Sequence, residues 1–161
     1  MKMKNTHSIR IYIDTSVFGG VYDDEFSNSS KQLFKLIKKH LFVSVTSAVV
    51  NLEMKSAPKD VQALFSEIAD ISEIIEVTEE AKNLQNAYLK ANILTPKSAE
   101  DALHVSLATV SHCTMIISWN FKHIVNFQKI PLYNAINQIN GYAPIQIYSP
   151  REVIEIENEN F

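Results

Sequence analysis

Short apolar runs rich in β-branched residues alternate along this chain with longer stretches of helical period, and no feature constrains its fold more. Ile9, Ile11 and Ile13 alternate with Arg10 and Tyr12, which predicts a first strand. Ser30 to His40 then sets Leu33, Phe34 and Ile37 at helical spacing, with Lys38, Lys39 and His40 suited to a helix C-terminus. Leu41 to Val45 predicts a second strand, and a helix from Ser47 stops near Pro58. Lys59 to Ala69, Glu79 to Ala91, Ser98 to Ser111 and Pro131 to Ile139 follow as helices, the last halted by Asn140-Gly141. Between them Ile74–Val77, Thr114–Trp119 and Ile145–Tyr148 predict strands. Ser149-Pro150-Arg151-Glu152 carries a cap, a first-turn proline and a capping-box glutamate, so one more helix starts there. The acidic stretch 155–161 is expected to fray.

Strands alternating with helices imply an α/β protein with a mostly parallel sheet covered on both faces. Ligands of such sheets bind outside the carboxyl ends of the strands, near a reversal of strand order. At 161 residues, with no repeat and no low-complexity linker, the chain is expected to form one domain, 1–161. Hydrophobic residues at 46% and charged residues at 20% exclude a disordered or fibrous chain. No apolar run approaches the roughly 20 residues that span a bilayer. The opening MKMKNTHS lacks an apolar signal region, so a cytoplasmic protein is expected. The single cysteine, Cys113, allows no internal disulfide and reads as a small core residue. A net charge of −3 excludes a general polycation, so any nucleic-acid contact must be local or carried by a metal.

Four polar positions fall where ligands are expected. Asp14 ends the first strand in IYIDTSVFGG, where Gly19-Gly20 would let the following loop turn tightly; its bland role is to cap a helical turn at Thr15. Glu53 shares a helical stripe with Val49, Val50 and Ala57, and a carboxylate among apolar residues needs a proton, partner or metal. If Leu52 and Met54 define the buried face instead, Glu53 is merely solvated. Asp101 lies in the first turn of the helix from Ser98 and fits a capping box. Leu103, Ser106, Leu107 and Val110 would form that helix's core stripe, leaving Asp101 and His104 together on a flank. Asn120 follows the fourth strand in IISWNFKHI, with Trp119 as core; Lys122 and His123 could approach phosphates, though simple loop solvation accounts for them more readily.

Gathering such groups has a cost. Two carboxylates about 4 Å apart repel by about 4 kcal/mol at a surface-like dielectric. Three would be unstable together without a cation, and all-oxygen donors suit Mg²⁺ or Mn²⁺ rather than zinc. A magnesium ion retains waters and stabilises phosphoryl oxygens, the chemistry of phosphodiester hydrolysis.

On IYIDTSVFGG, Glu53, SAEDALHVSLA and IISWNFKHI, in that order over about the whole length, the chain resembles the PIN domain family, whose members include the toxin ribonucleases of toxin–antitoxin pairs. The resemblance implies a three-layer α/β/α sandwich with a sheet of about five strands and a Mg²⁺- or Mn²⁺-dependent endoribonuclease acting on single-stranded RNA. It places the metal on Asp14, Glu53 and Asp101, with Thr15 or Ser16 in support; His104, on the residues alone, could bond Asp101 or a phosphate, though a histidine in a packed helix is more often structural. A fourth position, usually acidic in the family, is Asn120 here, which removes one negative charge and makes a second metal less favourable. The resemblance also implies an antitoxin partner and pairing as a homodimer. An antitoxin would block the acidic cleft with a basic side chain, most simply an arginine. A PIN fold that binds RNA or a protein without cutting is the alternative that the Asn120 departure leaves open. A phosphoacceptor receiver is disfavoured because Val77-Thr78 stands where its aspartate belongs, and a serine hydrolase because no Gly-x-Ser-x-Gly elbow exists.

Overall fold

The computed structural model describes residues 9–159, so the opening segment 1–8 and the last two positions lie outside the described residues. Five strands are present: β1 (Arg10–Ile13), β2 (Val43–Ser47), β3 (Glu73–Ile75), β4 (Met115–Ile117) and β5 (Gln146–Tyr148). They form one sheet in the order β3-β2-β1-β4-β5, parallel at every pairing. Between and after them run α1 (Thr15–Gly20), α2 (Ser27–Lys38), α3 (Ala48–Glu53), α4 (Lys59–Ala69), α5 (Glu79–Lys90), α6 (Ala99–Val110), α7 (Ile130–Ile139) and α8 (Pro150–Glu159). The helices pack in two groups: α2 touches α1 and α8 and α1 touches α4, whereas α5 touches α6 and α7. Two helical layers around a parallel sheet make the expected three-layer α/β/α sandwich.

β1 lies at the centre because its residues tolerate burial on both faces. Ile11, Tyr12 and Ile13 are at most 1% exposed, as parallel central strands require. Ile11 sits level with Ser44 on β2 and with Met115 on β4. From β1 the chain steps to β2 and β3 on one side, then crosses to β4 and β5 on the other. The order therefore reverses between β1 and β4, and their carboxyl ends open the crevice where such sheets bind ligands.

Several boundaries differ from the sequence reading. β2 begins two residues later than expected and ends at Ser47, whose hydroxyl accepts the Val50 N–H and caps α3. α3 ends at Glu53 and a 3₁₀ turn over Met54–Ser56 carries the chain on to Pro58. β4 stops at Ile117, because Ser118 and the residues after it turn their hydrogen bonds toward the site. Gly19 and Gly20 lie inside α1 rather than in a loop. Gly20 is required by packing, since a Cβ there would meet the Trp119 indole Nε1 at 2.6 Å. The glutamate capping box at Ser149 forms, with Glu152 Oε1 accepting from both the backbone N–H and the hydroxyl of Ser149. α8 continues to Glu159, through most of the stretch expected to fray. Gly141, at φ +85°, takes the left-handed conformation that ends the C-terminal turn of α7. Among the described residues no helix is long and apolar enough to cross a membrane.

Candidate active site

Asp14 leaves β1 with its backbone still in the sheet, its N–H donating to the Ile117 carbonyl of β4 at 3.0 Å. It occupies the position that could cap α1, yet its side chain makes no capping bond. Instead Oδ2 accepts two hydroxyls, Ser16 Oγ and Ser118 Oγ, both at 2.7 Å. Each serine also accepts a backbone N–H from the exit of β4: Trp119 N–H reaches Ser16 Oγ and Asn120 N–H reaches Ser118 Oγ, both at 2.9 Å. The carboxylate is only 5% exposed, so these bonds replace the water it has lost. They fix its orientation from both central strands at once.

Glu53 comes from the end of α3 and meets His104, whose Nε2 lies 2.6 Å from Glu53 Oε1 and 3.6 Å from Asp14 Oδ1. On the other side of the ring, Nδ1 is hydrogen-bonded to Tyr12 Oη at 2.8 Å, and that phenol is hydrogen-bonded to Ser47 Oγ at 2.8 Å. A buried chain of polar groups thus runs Ser47–Tyr12–His104–Glu53. Burial disfavours a charged imidazole, but the Glu53 hydrogen bond and the negative charges of Asp14, Glu53 and Asp101 outweigh it. His104 is consequently held above its ordinary pKa. The carboxylates on either side thus favour the charged form of the ring. Burial pushes the Tyr12 phenol up, so it remains protonated.

His104 is 2% exposed and bonds Tyr12 of β1 and Glu53, not Asp101. The buried surface of α6 is broader than the expected stripe: Ser106 and Leu107 are fully buried as expected and Leu103 and Val110 half-buried, while Ala102, Val105 and Ala108 are fully buried as well. α6 is covered by α5 and also contacts β4, so burial wraps more of it than one stripe. Val50 on α3 and Met54 in the turn after it are buried and Leu52 is exposed, while the Glu53 side chain keeps 30% exposure. The face containing Glu53 is therefore an edge of the buried surface.

Asp101 makes no capping bond at the start of α6; none is made by the Ser98 side chain either. Its Oδ2 lies 2.7 Å from His123 Nδ1. The backbone N–H of His123 donates to Asn120 Oδ1 at 2.9 Å, and its carbonyl accepts the Tyr133 hydroxyl of α7 at 2.8 Å. The Asn120 side-chain oxygen is thus engaged by the loop itself. Lys122 is exposed, and Thr15 Oγ1 is buried beside Asp14 without a hydrogen-bond partner.

The structure brings Asp14, Glu53 and His104 into one network and joins Asp101 to His123 and Asn120. One oxygen each of Glu53 and Asp101 takes a histidine, and one oxygen of Asp14 takes the two serines, leaving hard donors over. Among the described residues, no three acidic, histidine or cysteine side chains stand close enough to form a ready-made metal group. Sequence reasoning missed Tyr12, Ser47 and Ser118. Ser118 had a signal, being the hydroxyl at the end of the strand that IISWN marks; Tyr12 looked like any other strand residue.

No protein-family model matches this sequence, and no curated protein does. Among solved structures, the crystal structure of VapBC2 from Rickettsia felis bound to a DNA fragment from their promoter is similar, with a TM-score of 0.59 and 17% identity. The match covers 88% of this chain and 98% of that one. At that identity the likeness is one of fold, and the fold is PIN-like.

Proposed function

We propose that this protein is a divalent-metal-dependent endoribonuclease that hydrolyses phosphodiester bonds of single-stranded RNA and is restrained by an antitoxin. The observation that carries the reading is the placement of Asp14: a buried carboxylate, oriented by two serines, at the point where strand order reverses. Its surroundings support a cation, because carboxylate oxygens are hard donors and the unpartnered Thr15 hydroxyl adds another. Asp14, Glu53 and Asp101 would hold Mg²⁺ or Mn²⁺, which when bound supplies a more acidic water and positive charge for phosphoryl oxygens.

The chain's own groups do the rest. Ser16 and Ser118 aim Asp14, His104 orients Glu53, and His123 orients Asp101. His104 lies between Asp14 and Glu53, where its charged form would offset their repulsion. The structural relative was crystallised as a VapBC2 assembly on promoter DNA, which favours a two-component system here as well.

A second reading has an observation in its favour. Asn120, the position at which the sequence departs from the family pattern, commits its side-chain oxygen to the His123 N–H. A PIN-fold module that binds RNA or a protein partner without cutting follows if that site holds metal too weakly. Cleavage of labelled single-stranded RNA by the wild type and by Asp101→Asn, in Mn²⁺, Mg²⁺ and EDTA, separates the two. Metal-dependent cutting lost in the variant is the expected result. Absence of cutting in either metal, with a panel of RNAs, overturns the nuclease reading.

A further inference from the structure

No aspartate or glutamate occurs from residue 102 to residue 151, although the chain as a whole carries a net charge of −3. The connection between β4 and α7 lies in the middle of this acid-free stretch. It carries Lys122, which is exposed and makes no ion pair among the described residues, and two exposed phenylalanines. Phe121 is 48% exposed and Phe127 is 83% exposed.

This connection is firmly built. The Ile124 and Val125 N–H groups both donate to the Asn120 carbonyl. Asn126 donates its amide to the Phe121 carbonyl and accepts the Gln128 and Lys129 N–H groups, and Lys129 Nζ reaches the Ile93 carbonyl at 2.8 Å. A large apolar side chain held out in water by a stiff loop marks a contact surface more than a flexible tip would. Phe121 also rests edge-on against Trp119, with ring centroids 6.0 Å apart, and Trp119 stacks on Phe26 at 4.2 Å. The backbone N–H of Trp119 holds the Ser16 hydroxyl that orients Asp14. The aromatic surface and the carboxylate therefore share a single rigid support.

We infer that this connection is the shelf on which a single-stranded RNA lies, with bases stacking on Phe121 and Phe127 and a phosphate meeting Lys122. The inference rests on the nuclease reading and deepens it. An acidic site repels a phosphodiester, so the strand must gain its binding energy beside the carboxylates rather than from them. Aromatic faces interleaved with a cation, on a connection whose own sequence carries no carboxylate, provide it in the form that unpaired strands use. Stacking accepts any base, so the shelf holds the strand without choosing its sequence.

The test is fluorescence anisotropy of labelled oligoribonucleotides on the full chain in EDTA. Phe127→Ala should weaken binding roughly five- to hundredfold, the range for loss of one stacking partner. Phe127→Trp should retain it and Phe127→Leu should not. Lys122→Ala should lower the slope of log K against log salt by about 0.7. Phe127 is so exposed that its removal leaves the core intact, and circular dichroism checks that the less exposed Phe121→Ala is folded. Unchanged RNA affinity in both Phe127→Ala and Lys122→Ala overturns the shelf, as does a Phe127→Ala effect confined to self-association in sedimentation. If those variants bind normally while metal-dependent cutting persists, only the shelf falls. If binding needs Phe127 but no RNA is cut, the shelf stands and the nuclease reading falls.

Discussion

His123 and Asp101 are joined Nδ1 to Oδ2 at 2.7 Å, so a loop residue after β4 sets the direction of a carboxylate on α6. Both side chains keep partial exposure, which makes the pair a weak contributor to stability and a strong one to orientation. His123→Ala should leave the urea midpoint nearly unchanged, a loss within about 1 kcal/mol. Single-turnover RNA cleavage should fall roughly ten- to hundredfold, as when a ligand loses the partner that aims it. His123→Asn, whose amide can still donate to Asp101, should recover part of the rate. An unaltered rate in His123→Ala would remove the residue from this role.

The His104–Glu53 contact predicts a pH dependence. Burial alone would lower the imidazole pKa, but the Glu53 hydrogen bond and the surrounding carboxylates raise it above the ordinary 6.5. A folded-state pKa above the unfolded one means that the native state binds the proton more tightly. The contribution to stability is complete below about 6.5 and disappears as pH rises through the folded-state value. Urea unfolding of the metal-free protein between about pH 5.5 and 9 should therefore give a midpoint that declines with rising pH. His104→Gln should lack that decline; an identical profile would mean that the proton is not held there.

Two neighbouring glycines should respond to alanine with opposite signs. A Cβ at Gly20 would lie 2.6 Å from Trp119 Nε1 and 2.8 Å from Ser30 Oγ, inside a packed aromatic stack. Gly20→Ala should cost about 1–3 kcal/mol through overpacking. Gly19 has nothing within 4 Å of the same position and lies in α1, so Gly19→Ala should gain about 0.5–1 kcal/mol. Thermal or chemical denaturation of the two variants decides it, and destabilisation by Gly19→Ala would contradict the geometry.

The order of elements and the location of the candidate site were legible in the sequence because both follow from local pattern. Alternating Ile9, Ile11 and Ile13 mark β1, and the polar residues at strand ends, Asp14 and Asn120, mark the crevice. What could not be read is whatever depends on register between distant segments. Ser118 serves Asp14 only because Ile13 pairs with Ile117, a relation that no local periodicity contains. His123 read as a solvated loop residue within reach of phosphates, but the turn at Asn120 directs it to Asp101. Gly19-Gly20 carried the usual signature of a turn, yet both lie in α1, and the absence of a side chain at Gly20 answers to the Trp119 indole packed above it. The depth at which His104 is buried was not legible, because a helix covered by both a second helix and a strand has no single apolar stripe.

The hydrogen bond from Ser118 to Asp14 spans 104 positions, and the Asp101–His123 pair also draws on the chain beyond β4. During synthesis the first carboxylate leaves the ribosome long before the groups that aim it. Closing so long a loop is an entropic cost met late, when β4 docks beside β1. A chain interrupted before β4 would display Asp14, Glu53 and Asp101 yet have no Ser118 or His123 to arrange them. Under the nuclease reading proposed above, that delay is a timer: the carboxylates are aimed only once the chain beyond β4 has been made, which leaves a restraining partner time to be present first.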